Sequence, residues 1–225
     1  MGIMTGDEAN EVLGIIRRIG PVVMTAAGNA SGKAGTALRR AVGMMVSDSS
    51  LTDQSTFCYA FNVCVDLARA CDATLVSMDR VRKAALTETP VGLPAIQTVL
   101  DIVRLTLAME ARIIAAMKFR SRQEVDEIAV QINAAFAETT EAAADDLDTA
   151  IYMRLIRLHG DVVQHLAAQG RLLPRVIPYN FQTTMPSLRM AQRSYADPTR
   201  HEELIAENHV VHPAFMPRTG TMLAV

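Results

Sequence analysis

The sequence predicts a mainly α-helical protein: an elongated bundle of long helices followed by a small C-terminal β-α-α-β module. Three observations point there. The composition is half apolar, with 4% aromatic residues and no Trp, and its wealth of Ala, Leu, Met and Arg favours helices over sheets. Apolar residues recur at alternating spacings of four and three through Phe57, Phe61, Cys64, Ala68, Cys71, Leu75 and Met78, the stripe of a helix that packs along a partner helix. After Gly170 the texture changes: Leu172 to Phe181 places Val176, Ile177, Tyr179 and Phe181 among prolines, a pattern that favours extended chain over helix.

Taken in order, residues 7–19 read as a first helix that stops at Gly20-Pro21, followed by a turn of small residues from Ala26 to Gly32. A second short helix spans 34–46. Ser47 to Ser50 supplies loop and N-cap chemistry ahead of one long helix over about 52–87, which Pro90, Gly92 and Pro94 end. Pro94 then opens a helix over 94–119 carrying Ile96, Leu100, Val103, Leu107, Ala111 and Ile114 on one side. A Ser121-Arg122-Gln123-Glu124 capping box begins the third long helix, 122–169, with room for a kink at the acidic stretch 138–148. Residues 1–170 are thus expected to form a helical body and residues 171–225 a separate module. Within the module, helices at 186–195 and 199–208 lie between a first strand in 172–181 and a last strand at 221–225.

The charge is close to balanced, 22 Lys plus Arg against 24 Asp plus Glu, which argues against nucleic acid or an anionic membrane as a partner and for other proteins. Asp7 and Glu8 sit where a secretory signal would be apolar, and Gly6 where a myristoylation motif wants Ser or Thr, so no leader or lipid anchor is expected. Cys58, Cys64 and Cys71, six and seven residues apart, match neither a zinc site nor a redox pair. They read as small buried apolar residues, although an odd count leaves an intersubunit disulfide open.

Candidate chemistry is sparse. Gly28 to Ala34 resembles a phosphate loop superficially, but it is one residue short between glycines, and Ala34 replaces the hydroxyl that would hold magnesium. Glu138, Glu141, Asp145, Asp146 and Asp148 are expected to form a solvated acidic face, because helical spacing spreads them. His201, His209 and His212 cross a helix end and a loop, so a metal site is not expected. His212 is read as ordering the turn before Pro213, and His165 as a satisfied, partly buried residue. No catalytic elbow, zinc-protease motif or paired Cys and base is present. No catalytic residue, cofactor or metal is therefore expected.

The C-terminal module resembles the LysM-like module in Leu188 and Ala191, Tyr195 then Asp197, Ile205 and Asn208, and Pro213 with Gly220-x-x-Leu223. The run Met185-Pro186-Ser187-Leu188, Tyr195-Ala196-Asp197, Glu203, Ile205, Asn208 and His212 to Pro217, with Arg171 to Val176 upstream, is similar to the C-terminus of the DNA circularisation (DNA circulation) protein family of Mu-like phages. That resemblance covers roughly residues 145–225. It implies a non-enzymatic structural part of a long contractile tail, at the baseplate hub or tube, made in the host cytoplasm and carried in the virion. Its partners would be hub, tube or wedge proteins and further copies of itself in a ring. Tyr179, Phe181, Phe215 and Met216, with Tyr195, are the candidate apolar anchors of such an interface, or else the module's own small core. A LysM-type peptidoglycan-binding protein is the alternative reading.

Overall fold

The structure, a computed structural model, describes residues 4–145 and 149–224. It is mainly helical, with a small two-stranded sheet near the C-terminus. The chain divides into two compact units: residues 1–117 with 134–162, and residues 118–133 with 163–225. The expected division at residue 170 is thereby corrected. Among the described residues, no helix is long and apolar enough to cross a membrane.

In the first unit, helix α1 (Gly6–Ala26) starts at a capping box in which Thr5 Oγ1 accepts the Glu8 N–H and the Glu8 carboxylate accepts the Thr5 N–H at 2.8 Å. It runs straight through Gly20-Pro21, correcting the expected stop. Pro21 lies on the exposed side, while Ile15, Ile16, Ile19 and Val23 are buried and hold the helix against its neighbours. Gly20 serves packing: a Cβ there would lie 2.5 Å from Val46 Cγ2, on helix α2 (Gly32–Ser47).

The expected helix 52–87 is two helices, α3 (Gln54–Ala70) and α4 (Leu75–Leu86). Asp72 adopts φ +61° between them, a left-handed conformation that Asp tolerates better than most residues. Thr74 and Ser77 then cap α4 reciprocally at 2.9 and 3.2 Å. The stripe Phe57, Phe61, Cys64, Ala68, Cys71, Leu75 and Met78 is buried at every position, but it turns a corner instead of lining one helix. Helix α5 (Leu93–Ala116) is buried around most of its circumference and packs against α1, α3 and α4, as the central helix of a small bundle must.

The expected helix 122–169 is also two, α6 (Arg122–Asp145) and α7 (Thr149–Leu172); Asp146 and Asp148, named above in the acidic face, lie outside the described residues. The division between the units falls within both helices. In the first unit, Phe136 of α6 stacks on His159 of α7 with ring centroids 4.8 Å apart.

The second unit contains strand β1 (Val176–Asn180), helix α8 (Ser187–Tyr195), a 3-10 turn at Pro198–Arg200, helix α9 (His201–Glu207) and strand β2 (Thr219–Leu223). The strands pair antiparallel, with Ile177 opposite Met222 and Tyr179 opposite Gly220. The unit reaches back to α6 because the Arg122 N–H donates to the Pro174 carbonyl at 3.0 Å, and because Gln123 bonds to β1.

Candidate functional site

Two places gather polar side chains in defined geometry: the C-terminal module and an ion cluster in the first unit. The module surrounds a core of Tyr179, Met185, Met190, Ala191, Tyr195, Leu204 and Met216, with Phe181, Ile205, Val210 and Met222 packed against it. Tyr179, Tyr195 and Met216 thus belong to the module's own core, the second of the two readings the sequence left open. Phe181 is half-buried, 5.5 Å from the Tyr179 ring and under the Arg193 guanidinium. Of the expected anchors, Phe215 alone is solvent-exposed, at 73%.

The residues that carry the family resemblance lock this module. Asn208 donates to the Thr221 carbonyl at 2.8 Å and to the Leu204 carbonyl at 2.9 Å, while its own Oδ1 accepts the Thr221 N–H at 2.9 Å. Tyr195 Oη accepts the Leu223 N–H at 3.2 Å, and its ring carries the Arg200 guanidinium 4.0 Å above it. Asp197 caps the 3-10 turn through the Thr199 N–H and hydroxyl at 2.9 and 2.7 Å. Gly220 admits no side chain: a Cβ would overlap Asn208 Oδ1 and lie 2.7 Å from Tyr179 Oη.

Side chains meet outward backbone groups of both strands. The Phe181 N–H bonds to the Arg218 carbonyl and the Ala224 N–H to the Arg175 carbonyl, so the alternation of an antiparallel ladder turns residues 176, 178 and 180, and 219, 221 and 223, outward. On the β1 side, Gln123 plays the part of a missing strand: its Oε1 accepts the Val176 N–H at 2.9 Å and its Nε2 donates to the Val176 carbonyl at 3.2 Å. Pro178 has no N–H to offer. On the β2 side, Asn208 does for Thr221 what Gln123 does for Val176.

The ion cluster joins α4, α5 and α6 around Arg82, which is 5% exposed. Its guanidinium meets Asp79 at 2.6 Å, Glu138 at 3.0 Å and Glu110 at 3.5 Å, and Lys83 meets Asp79 at 2.6 Å. Glu110 is 2% exposed, and its Oε1 accepts no hydrogen bond. Burial, reinforced by the Asp79 charge and opposed by Arg82, pushes the Glu110 carboxyl up to about 7. Burial acts on Asp79 in the same sense, but hydrogen bonds from Lys83 and Arg82 outweigh it and hold that carboxyl below its ordinary value. The i, i+3 and i, i+4 spacing of Asp79, Arg82 and Lys83 was visible in the sequence. The carboxylates that complete the cluster come from other helices, and nothing local announced them.

The remaining candidates are placed as follows. Of the Gly28–Ala34 stretch, residues 28–31 connect α1 to α2 and Gly32 to Ala34 form the first turn of α2, with the Asn29 N–H bonded to the Cys71 carbonyl at 2.9 Å. His201 is half-buried, His209 is exposed at φ +49°, and the His212 carbonyl accepts the Phe215 N–H at 2.9 Å. Among the described residues, no three His, Cys, Asp or Glu side chains are placed to hold a metal ion. His165 is half-buried, and its Nε2 lacks a hydrogen-bond partner, which corrects its expected satisfaction. Cys64 and Cys71 are buried, Cys58 is half-buried, and all three are free thiols. No protein-family model and no curated protein matches the sequence.

Proposed function

We propose that this chain is a structural component of the long contractile tail of a phage or prophage-derived particle, placed near the baseplate hub and tube and working through protein contacts. One observation carries the reading. Tyr195, Asp197, Asn208 and Gly220, on which the resemblance to the C-terminus of the DNA circularisation protein family and to the LysM-like module rests, are the residues whose hydrogen bonds and close approaches hold the β-α-α-β unit together. A similarity seated in such residues supports a shared module better than one confined to surface positions would.

In this reading the helical unit supplies bulk and self-association, and the module docks on neighbouring tail proteins. The same module also suits the alternative, a peptidoglycan-binding protein, because a βααβ unit of this kind serves either role on its surface. Localisation separates the two. Purified long-tailed particles made from the genome that encodes the chain are examined by mass spectrometry and immunogold labelling. The protein is expected at the distal end of the tail, in fixed stoichiometry to hub proteins. Absence from particles, together with pull-down by isolated cell wall, would transfer the conclusion to glycan binding.

A further inference from the structure

Two surface features, one in each unit, complement each other. Phe215 is 73% exposed, yet the chain beneath it is fixed: its N–H bonds to the His212 carbonyl at 2.9 Å, the next N–H bonds to the Met185 carbonyl at 3.1 Å, and Met216 is wholly buried. An aromatic side chain held out of a rigid turn loses little freedom when it is covered, and aromatics of this kind dominate interface energetics. Residues 208–225 contain Arg218 and no acidic side chain.

The second feature is a groove of about 240 Å³ in the helical unit, between α2 and α3, lined by Met44, Leu51, Tyr59, Ala60 and Val63. Met44 and Tyr59 are 56% and 75% exposed, an unusual pairing of large apolar side chains flanking an apolar hollow. An engineered cavity of about 150 Å³ is enough to hold benzene, so a phenyl ring fits. The one charged side chain in the lining is Asp48, whose carboxylate accepts the Ser50 N–H at 2.8 Å. Hydrogen bonds from Ser50 keep it below its ordinary value and therefore ionised at neutral pH.

We propose that Phe215 of one copy of this chain seats in the α2–α3 groove of a second copy, with Arg218, three residues further on, meeting the charge of Asp48. Such a contact is head-to-tail: each copy keeps one free groove and one free Phe215, so association continues until the geometry closes a ring or extends a filament. The proposal deepens the assembly reading and takes its context from it.

The test uses the full chain, in sedimentation velocity and light scattering over a concentration series. Wild type is expected to form species larger than a dimer as concentration rises. Phe215→Asp and Met44→Glu, both at exposed positions, are expected to be monomeric with unchanged circular dichroism and melting. Mixed in equal amounts, they are expected to form a 1:1 heterodimer and nothing larger, because the first retains an intact groove and the second an intact Phe215. Phe215→Ala should weaken association at least about 30-fold. A wild type that stays monomeric throughout, or a mixture without the heterodimer, would overturn the proposal. Particle localisation is a separate readout: a solution monomer found at the tail tip overturns this contact and leaves the tail assignment standing.

Discussion

Replacing Glu110 by Gln tests the ion cluster through the pH dependence of stability. Glu110 titrates at about 7 in the fold against an ordinary 4.5, so the folded state holds its proton more tightly than the unfolded chain does. The stability this group contributes is fully present below about pH 4.5 and is lost as the pH rises through 7. At about 1.4 kcal/mol per pH unit, the gap is worth roughly 3 kcal/mol. Gln keeps the shape of the neutral acid, while Arg82 retains Asp79 and Glu138 at 2.6 and 3.0 Å. Urea denaturation of both proteins from pH 4.5 to 8.5 should show near-equal stability at the acid end and an advantage for Glu110→Gln that widens from about pH 4.5 to 7 and levels off at about 3 kcal/mol by pH 8. In a chain of this size that corresponds to a rise in Tm of roughly 6 to 12 °C. A variant less stable than wild type at pH 8, or a difference that does not change with pH, would mean that ionised Glu110 is a net stabilising partner of Arg82, and the reasoning from burial would fail.

Removing the cation has the opposite sign: Arg82→Ala leaves three carboxylates around one site and should cost about 3 to 5 kcal/mol, read in the same denaturation series. Asn208→Ala strips the Thr221 N–H and both carbonyls of their partner; it should cost about 2 to 3 kcal/mol and speed hydrogen exchange at Thr221. Gly220→Ala forces a Cβ into Asn208 and Tyr179 and should lower stability by about 1 to 3 kcal/mol, with the spectral change confined to the C-terminal unit. Burial, then the Asp101 charge, pushes the Cys58 thiol up to about 12, and burial pushes Cys64 up to about 11; neither should be alkylated by iodoacetamide at pH 7.5 until the chain is unfolded.

The helices were legible because their apolar spacing is strong, and the order strand, helix, helix, strand because Pro and β-branched residues mark the change after Gly170. The breaks were not. Gly20-Pro21 carries the usual stop signal, but buried Ile15, Ile16 and Ile19 before it and buried Val23 after it override it, and Gly20 exists to let Val46 approach. Between α3 and α4 the apolar spacing continues across the corner, so periodicity hid what Thr74 and Ser77, a local cap, announced. Tyr179 and Phe215 look alike in sequence as anchors. One faces a core assembled from residues up to 37 positions away in the chain, Met216 among them, and the other stands outside it, a distinction that no local pattern encodes. Glu110 was invisible for the same reason: its partner Arg82 lies on another helix.

The paired amides at the sheet edges bear on how this module tolerates crowding. A strand with open backbone groups is a template for any extended chain that drifts past, and the hazard rises with protein concentration. Gln123 and Asn208 pair the outward backbone groups of Val176 and Thr221, and Pro178 supplies no N–H to copy. Leu188, Val211 and Phe215 stand exposed outside that ladder, so substitution at these positions changes what the module presents to solvent while the pairing of Val176 and Thr221 stays as it is.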